Sequence, residues 1–242
     1  MNTFSDSVTT ALHLLIAFDP SLWVIVGRSL AVSATACLIG YGLGVLLGAG
    51  LAVSRFRGRE VVLLGLNTLL ALPSVVVGLV VYLLLSRTGP LGFLGWLFSF
   101  KAMVLAQVVL VLPVVTALTR QVVEDVERQH GEQWASLGAG TLLRSLLLAW
   151  DERMALMTIL VTAFGRAISE VGAVMIVGGN IDGFTRVMTT AIALETSKGD
   201  LPLALALGLV LLAVVGLLNL LVALLRRSES DACANPALVG GL

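Results

Sequence analysis

Two residues of opposite charge, Arg166 and Glu170, lie four positions apart inside an otherwise apolar stretch of the chain. On a continuous helix this spacing places both side chains on one face, where they can form an ion pair. Ionised side chains within a membrane span are costly unless paired or hydrated, so they mark a pathway or a helix interface. Small neighbours allow another helix to approach closely: Gly165, Ser169 and Gly172. Two interpretations stay open, a pair that lines a pathway and a structural pair that joins two helices.

The polar segment 120–153 is a second candidate, because it interrupts two apolar runs and is rich in charge. Glu132 and Gly138 within it are separated by five residues. The run 138–140 is a plausible helix stop, and Thr141 can cap the helix that follows. The segment is thus predicted to form a helical hairpin whose corner contacts a partner outside the membrane, with an ordinary solvated loop as the alternative.

The segment 180–200 contributes hydroxyl and cationic side chains between the last two apolar runs. Thr185 is expected to cap a short helix over 186–195. Arg186 and Lys198 could attract an oxyanion, with hydroxyls offered by Thr185 and Thr189, but two charges are too few to define a binding site. A connector lying on the surface explains the segment equally well.

Motifs for catalysis and metal binding are missing from the sequence. It contains no Gly-x4-Gly-Lys-[Ser/Thr] for nucleotide phosphates, no His-Glu-x2-His and no Gly-x-Ser-x-Gly. The two cysteines, Cys37 and Cys233, are far apart, and the only histidines are His13 and His130. With a formal net charge of zero, no general basic face for nucleic acid is expected either. We therefore predict neither catalytic residues nor a metal site.

The elements that position these residues are apolar helices. Hydrophobic residues make up 58% of the chain and charged residues 12%, with a mean hydropathy of +1.02, which indicates an integral membrane protein. Backbone groups in lipid must be satisfied internally, so the fold class is all-α, a bundle of membrane-spanning helices. Five segments are long enough to span: Leu22–Val53, Val61–Leu85, Ala102–Thr119, Met154–Gly178 and Leu201–Leu225. Pro73 and Pro113 lie inside spans two and three and should kink them.

The domain organisation follows from these spans. Residues 1–21 are expected to form an amphipathic arm on the membrane surface, 22–225 the transmembrane domain, and 226–242 a cytoplasmic tail. The polar segments on one side of the membrane hold nine Lys and Arg residues and those on the other side hold four. The positive-inside rule then places the N-terminus outside, and the C-terminus and segment 120–153 in the cytoplasm.

Glu132, Gly138 and Ala139 resemble the loop of ABC importer permeases that is written Glu-Ala-Ala-x3-Gly, although Gln133 and Trp134 stand where that loop has alanines. A more specific resemblance covers most of the chain from span two onward. Its longest runs are similar to the tungstate-type permeases of the molybdate/tungstate/sulfate importer group: 165–173, 178–181, 185–192 and 194–199.

The resemblance implies a fold like that of type I ABC importer permeases, with a cytoplasmic coupling helix that docks on an ATPase subunit. The residues expected in this coupling loop are Glu132, Gln133, Trp134, Ala135, Gly138 and Ala139. Those expected along the translocation pathway or its gate are Arg166, Ser169, Glu170, Thr185, Arg186 and Thr189.

The function implied is that of a multi-pass permease in the cell (inner/cytoplasmic) membrane that carries an oxyanion, most specifically tungstate. Its partners would be two copies of a cytoplasmic ABC ATPase, an external oxyanion-binding protein, a second copy of this chain and the lipid bilayer, but no nucleic acid. The chain itself needs no cofactor, since ATP and Mg²⁺ bind the partner subunit. A molybdate or sulfate permease is the alternative within the group. A secondary transporter, a channel or a membrane-embedded enzyme is the alternative of another class.

Overall fold

A computed structural model of the protein describes residues 3–17, 19–136 and 140–234. All regular secondary structure in these residues is helical, and the helices are numbered here in chain order. The ten α-helices are α1 (Thr3–Ile16), α2 (Pro20–Val53), α3 (Arg59–Ala71), α4 (Ser74–Leu85), α5 (Phe100–Ser136), α6 (Thr141–Asp151), α7 (Arg153–Ile168), α8 (Gly172–Gly178), α9 (Met188–Lys198) and α10 (Leu201–Ala234). A single 3-10 turn covers Gly92–Leu94, between α4 and α5.

The five predicted spans correspond to three single helices and two bent pairs. Helices α2, α5 and α10 are each long and apolar enough to cross a membrane. Helices α3 and α4 meet at a bend of 101°, and α7 and α8 at a bend of 56°. The described part of the chain thus has three candidate spans, or five when each bent pair counts as one span. The all-α membrane fold expected from composition is confirmed.

The two prolines inside spans behave differently. At Pro73 the helix breaks completely instead of kinking, because Leu72 takes an extended backbone conformation (φ −66°, ψ 131°), as residues before proline prefer. At Pro113, α5 continues without interruption to Ser136. The third span and the first arm of the predicted hairpin are therefore one helix of 37 residues.

The ends of the chain extend the predicted elements. Helix α1 ends at Ile16, and its buried residue Ala11 belongs to the same hydrophobic cluster as Leu207 of α10. Helix α10 runs past the predicted domain boundary at Leu225 and ends at Ala234. The position of α1 on a membrane surface and that of the tail in the cytoplasm stay predictions.

A row of glycines brings α2 and α5 into close contact. Gly40, Gly44 and Gly48 recur every four residues on one face of α2 and are buried. A Cβ added at Gly44 would lie 2.7 Å from the Cβ of Val115, and one at Gly48 would lie 2.6 Å from the carbonyl oxygen of Thr116. Only glycine permits this approach, so the row allows α2 and α5 to pack closely along their lengths.

The two bent spans meet at their breaks. Gly172, the first residue of α8, lies against the first turn of α4, where an added Cβ would be 3.1 Å from the Ser74 hydroxyl and 2.7 Å from Val75 Cγ2. One turn further along α4, an added Cβ at Gly78 would be 2.7 Å from the Cα of Ala173. Helices α4 and α8 therefore start side by side and pack through small residues.

Candidate functional site

The break between α7 and α8 places Glu170 outside a helix. Helix α7 ends at Ile168 and α8 begins at Gly172. Glu170 Oε1 accepts a hydrogen bond from the main-chain nitrogen of Ala173 (3.2 Å) and so satisfies a donor in the first turn of α8. The Ser169 hydroxyl donates to the Gly165 carbonyl (2.8 Å), which satisfies an acceptor at the end of α7.

The expected ion pair between Arg166 and Glu170 is wrong. Four-residue spacing aligns two side chains only on a continuous helix, and here the helix ends between them. Both residues lie in the described part of the chain, and the ion pairs found there include neither of them. Arg166 is instead exposed on α7.

The main chain at the break is tied to α9. The Thr189 hydroxyl donates to the carbonyl oxygen of Glu170 over 2.7 Å, so two predicted site residues that are 19 positions apart meet. From α5, Gln107 Nε2 donates to the Ala167 carbonyl over 2.8 Å. These two bonds satisfy carbonyls near the end of α7 that lack helical partners, and they connect the break to two other helices.

A small polar cavity lies beside the break. Gln107, Glu170 and Thr189 line it together with Ser29 and Ser33 of α2. Its volume of about 10 Å³ is close to that needed for one water molecule. Gln107 is 3% exposed, and among the described residues its Oε1 finds no hydrogen-bond partner. The cavity has room for one water molecule and is too small for a tetrahedral dianion in this conformation.

The loop that follows α8 is held by side-chain hydrogen bonds. The Thr185 hydroxyl donates to the Gly178 carbonyl (2.5 Å) and accepts from the Ile181 main-chain nitrogen (2.9 Å). Thr185 therefore closes the loop and does not cap α9 as expected, since α9 begins only at Met188. The Met188 main-chain nitrogen donates instead to the Ser29 hydroxyl (2.6 Å), which fixes the start of α9 on α2.

Arg186 lies in this loop beside a second arginine, Arg28, that the sequence reasoning missed. Arg186 pairs with Asp182 over 3.1 Å. Arg28 of α2 donates to the carbonyls of Gly183 (2.7 Å) and Arg186 (3.4 Å). The signal for Arg28 was available in the sequence, because an ionisable residue within an apolar span marks a functional position.

The charged hairpin is braced by ion pairs. Glu124 of α5 contacts Arg59 at the start of α3 (3.4 Å), Arg128 (3.3 Å) and Arg120. Glu127 of α5 also forms an ion pair with an arginine of α6. This ion pair joins the two arms of the hairpin.

That cross-hairpin pair joins Glu127 and Arg144 over 2.8 Å, with side chains 18% and 19% exposed. Helix α6 begins at Thr141 without a side-chain cap, so the expected capping role of Thr141 is wrong. Four coupling-loop residues lie in the last turns of α5: Glu132, Gln133, Trp134 and Ala135. The other two, Gly138 and Ala139, lie outside the described residues.

Known proteins similar to this chain are membrane permeases. A tungstate uptake system permease protein, TupB, from Peptoclostridium acidaminophilum is 43% identical over 219 residues, covering 90% of this chain and 96% of the relative. TupB from Campylobacter jejuni is 37% identical, over 92% of this chain and 93% of the relative. A probable anion ABC transporter permease protein from Haloferax volcanii is 42% identical, over 77% of this chain and 83% of the relative.

More distant relatives are named for the transport of molybdenum or sulfate. The molybdenum transport system permease ModB of Escherichia coli is 31% identical over 77% of this chain, and the sulfate permease CysW of the same species is 32% identical over 69%. No protein-family model matches the sequence. The similarity to the TupB proteins covers the broken spans, the hairpin and the loop before α9 together. The chain therefore belongs to the family of ABC anion-transporter permeases.

Proposed function

We propose that this permease carries tungstate into the cell. The observation that carries the proposal is the identity of 43% and 37% to two tungstate uptake permeases, along nine-tenths of this chain. The relatives named for molybdenum and sulfate are only 31% and 32% identical. As a permease the chain is a transport subunit and not an enzyme, and it works with an ATPase and a substrate-binding protein.

The proposed assembly is a homodimer with two ATPase subunits on its cytoplasmic side and an oxyanion-binding protein outside. Five spans in one chain enclose a two-sided pathway poorly, which favours two copies around a shared pore. The excess of Lys and Arg on the hairpin side supports a cytoplasmic hairpin and C-terminus, and an outer N-terminus, in the cell membrane.

Coupling would pass through the corner of the hairpin, residues 129–140. The ATPase subunits grip this corner, and their ATP-driven closure moves it and switches the pore from inward-facing to outward-facing. The Glu127–Arg144 and Arg59–Glu124 ion pairs support the proposal, because they join the hairpin arms to each other and to α3. A displacement of the corner then moves several helices as one body.

The gate would lie where α8, the loop before α9 and α9 meet. Thr189 links the break at Glu170 to α9, and the loop before α9 is fixed by Thr185. Motion of α7 therefore reaches α9 through defined hydrogen bonds. Arg166, Ser169 and Arg186 complete the proposed pathway or gate residues, Arg166 as an exposed cation on α7 and Arg186 at the outer loop.

The deciding experiment is uptake by proteoliposomes that contain the permease, its ATPase and its binding protein. We expect ATP-dependent uptake of tungstate that unlabelled tungstate competes most strongly, molybdate less and sulfate least. Stronger competition by molybdate or sulfate would reassign the substrate within the family. Uptake that persists without the ATPase would identify a secondary transporter or channel and refute the proposal.

A hairpin variant separates coupling from folding in the same assay. Gly138→Asp places a bulky charge at the corner and should abolish ATPase assembly or coupled uptake, while thermal unfolding of the purified permease stays unchanged. Normal uptake by this variant would contradict the assignment of the corner as the ATPase contact.

A further inference from the structure

An open cleft of about 550 Å³ lies at the outer end of the bundle, between the start of α2, the start of α10 and the loop before α9. Two arginines, Arg28 and Arg186, line it together with Asp182. The remaining wall is mainly apolar and includes Val24 and Leu203. The cleft is separate from the polar cavity beside Glu170 and from the hairpin.

The cleft has an excess of positive charge among its described side chains. Arg28 donates two hydrogen bonds, both to neutral main-chain carbonyls, and no ion pair in the described part of the chain includes it. Three of its five N–H groups stay available for another acceptor. Arg186 is paired with Asp182, whose carboxylate also accepts a hydrogen bond from the Gly183 main-chain nitrogen (2.9 Å). The Asp182 side chain is 78% exposed, so water weakens the pair and another anion can compete for Arg186.

A second carboxylate, Asp19, precedes α2 and is engaged by the first residues of that helix. Asp19 accepts hydrogen bonds from the hydroxyl (2.5 Å) and main-chain nitrogen (2.9 Å) of Ser21 and from the nitrogen of Leu22 (3.3 Å). These bonds lower the pKa of Asp19, the Ser21 hydroxyl most of all. Asp19 thus caps α2, and the ion pairs among the described residues do not join it to Arg28.

An exposed tryptophan in the same stretch of α2 favours a lipid headgroup as the ligand of the cleft. Arg28 is eight residues into α2, which corresponds to about 12 Å from the helix start. Trp23, five residues before Arg28 on α2, is 38% exposed, and exposed tryptophans concentrate at the membrane–water interface. Val24 is 53% exposed on the same helix, so apolar surface adjoins the cationic end of the cleft.

We propose that this cleft binds a tetrahedral oxyanion group, the phosphate of an anionic phospholipid. Planar guanidinium groups match the oxygens of such a group with paired, charge-assisted hydrogen bonds. A free oxyanion would occupy a small part of the volume and leave the apolar wall uncovered. A phospholipid would cover both the arginines and the apolar wall. Its phosphate would lie on Arg28 and Arg186, and the start of an acyl chain on Val24 and Leu203. The bound lipid would then hold the loop before α9 against α2 and α10.

The test is binding of lipids to the purified full-length permease, measured by native mass spectrometry. Phosphatidylglycerol should bind more tightly than phosphatidylcholine. Arg186→Gln should weaken phosphatidylglycerol binding by about tenfold or more, the effect of losing one charge-assisted hydrogen-bonded contact. Arg87→Gln is the matched control, because it removes the same charge from an exposed site in another loop, and it should bind lipid like the wild type.

Two further variants keep the proposal falsifiable if loss of Arg28 disturbs the fold. Arg28→Lys keeps the charge but removes the planar fork, and should weaken binding less than Arg28→Gln. Asp182→Asn removes the competing carboxylate and should tighten phosphatidylglycerol binding. Equal binding of both lipids, or binding unchanged in Arg186→Gln and Asp182→Asn, would overturn the proposal.

Free tungstate and free phosphate form the other arm of the experiment. If either ion binds with the same dependence on Arg28 and Arg186 while phosphatidylglycerol does not, the cleft takes a free anion and the lipid assignment is wrong. If the variants instead lose docking of the binding protein with lipid binding intact, the cleft is a protein contact and the proposal is also wrong.

Discussion

Replacement of Gly44 by alanine tests how closely α2 and α5 pack. The added Cβ would lie 2.7 Å from both the Cβ and the Cγ1 of Val115, whereas carbon atoms in ordinary contact are about 3.5–4.0 Å apart. The nearest atom is a Cβ, which rotation of the side chain does not move, so the helices themselves must separate by about 1 Å. Overpacking of this kind costs about 1–3 kcal/mol.

A second glycine on α2 provides the matched control. Gly42 is exposed, and a Cβ added there meets nothing within 4 Å. Both substitutions gain helix propensity, about 1 kcal/mol each, so this contribution cancels in the comparison. The unfolding free energy of Gly44→Ala should therefore be lower than that of Gly42→Ala by about 1–3 kcal/mol.

The measurement is equilibrium unfolding of the two purified variants in the same mixed detergent micelles, followed by far-ultraviolet circular dichroism and tryptophan fluorescence. Equal unfolding free energies would refute the reasoning, because they would show that α2 and α5 do not approach closely at Gly44. A larger loss in Gly42→Ala would point to a partner on the opposite face of α2.

Substitutions at Thr189 and Glu170 test the break, and substitutions at Arg144 and Glu127 test the hairpin. Thr189→Val leaves the Glu170 carbonyl without its side-chain donor and should lower the unfolding free energy by about 1–3 kcal/mol; no change in chemical denaturation would show that this bond is not formed. Glu170→Gln keeps an oxygen acceptor for the first turn of α8, so this variant should unfold like the wild type but transport less. Glu170→Leu removes the acceptor and should also lose stability. Wild-type uptake by Glu170→Gln would leave the carboxylate with a structural role alone. Arg144→Gln breaks a largely buried ion pair and should reduce uptake per ATP hydrolysed. The double variant Arg144→Glu/Glu127→Arg should restore the uptake per ATP. If a double-mutant cycle shows no coupling between the two positions, the pair has no part in the mechanism.

Much of the architecture follows from patterns that are local in sequence. Long apolar runs predict the spans, because unsatisfied backbone groups in lipid leave few alternatives to helices. The four-residue repeat of Gly40, Gly44 and Gly48 predicts a face of close helix contact, and the structure confirms it against α5. The family resemblance in 165–199 was confirmed by relatives that align along most of the chain.

The positions of the helix breaks could not be predicted from the same local sequence patterns. Pro73 ends a helix and Pro113 does not, although both lie in apolar runs. Pro113 is flanked on α5 by Val111 and Val115, which pack against glycines of α2, and α5 continues through the proline at this contact. A local sequence pattern does not predict contacts with a neighbouring helix, and such tertiary packing overrides helix propensity.

The break at Ser169–Val171 is harder to predict from the sequence than the break at Pro73, because it contains no proline. Its carbonyls are satisfied by Gln107 and Thr189, which are 60 and 19 positions away from their acceptors. A sequence read in short windows predicts a continuous helix here and, with it, the wrong ion pair between Arg166 and Glu170. The residues that make the break possible lie on other helices.

The contact between the two breaks explains how a charged hairpin could act on a distant loop. Since α4 and α8 begin side by side, with Gly172 against Ser74 and Val75, the segments before the breaks can turn while the segments after them stay packed. The segments before the breaks, α3 and α7, lie on the hairpin side, where Arg59 of α3 pairs with Glu124 of α5. We propose that a rotation which starts at the hairpin reaches both breaks. The hydrogen bond from the Thr189 hydroxyl to the Glu170 carbonyl joins this junction to α9 and would transmit the rotation to that helix.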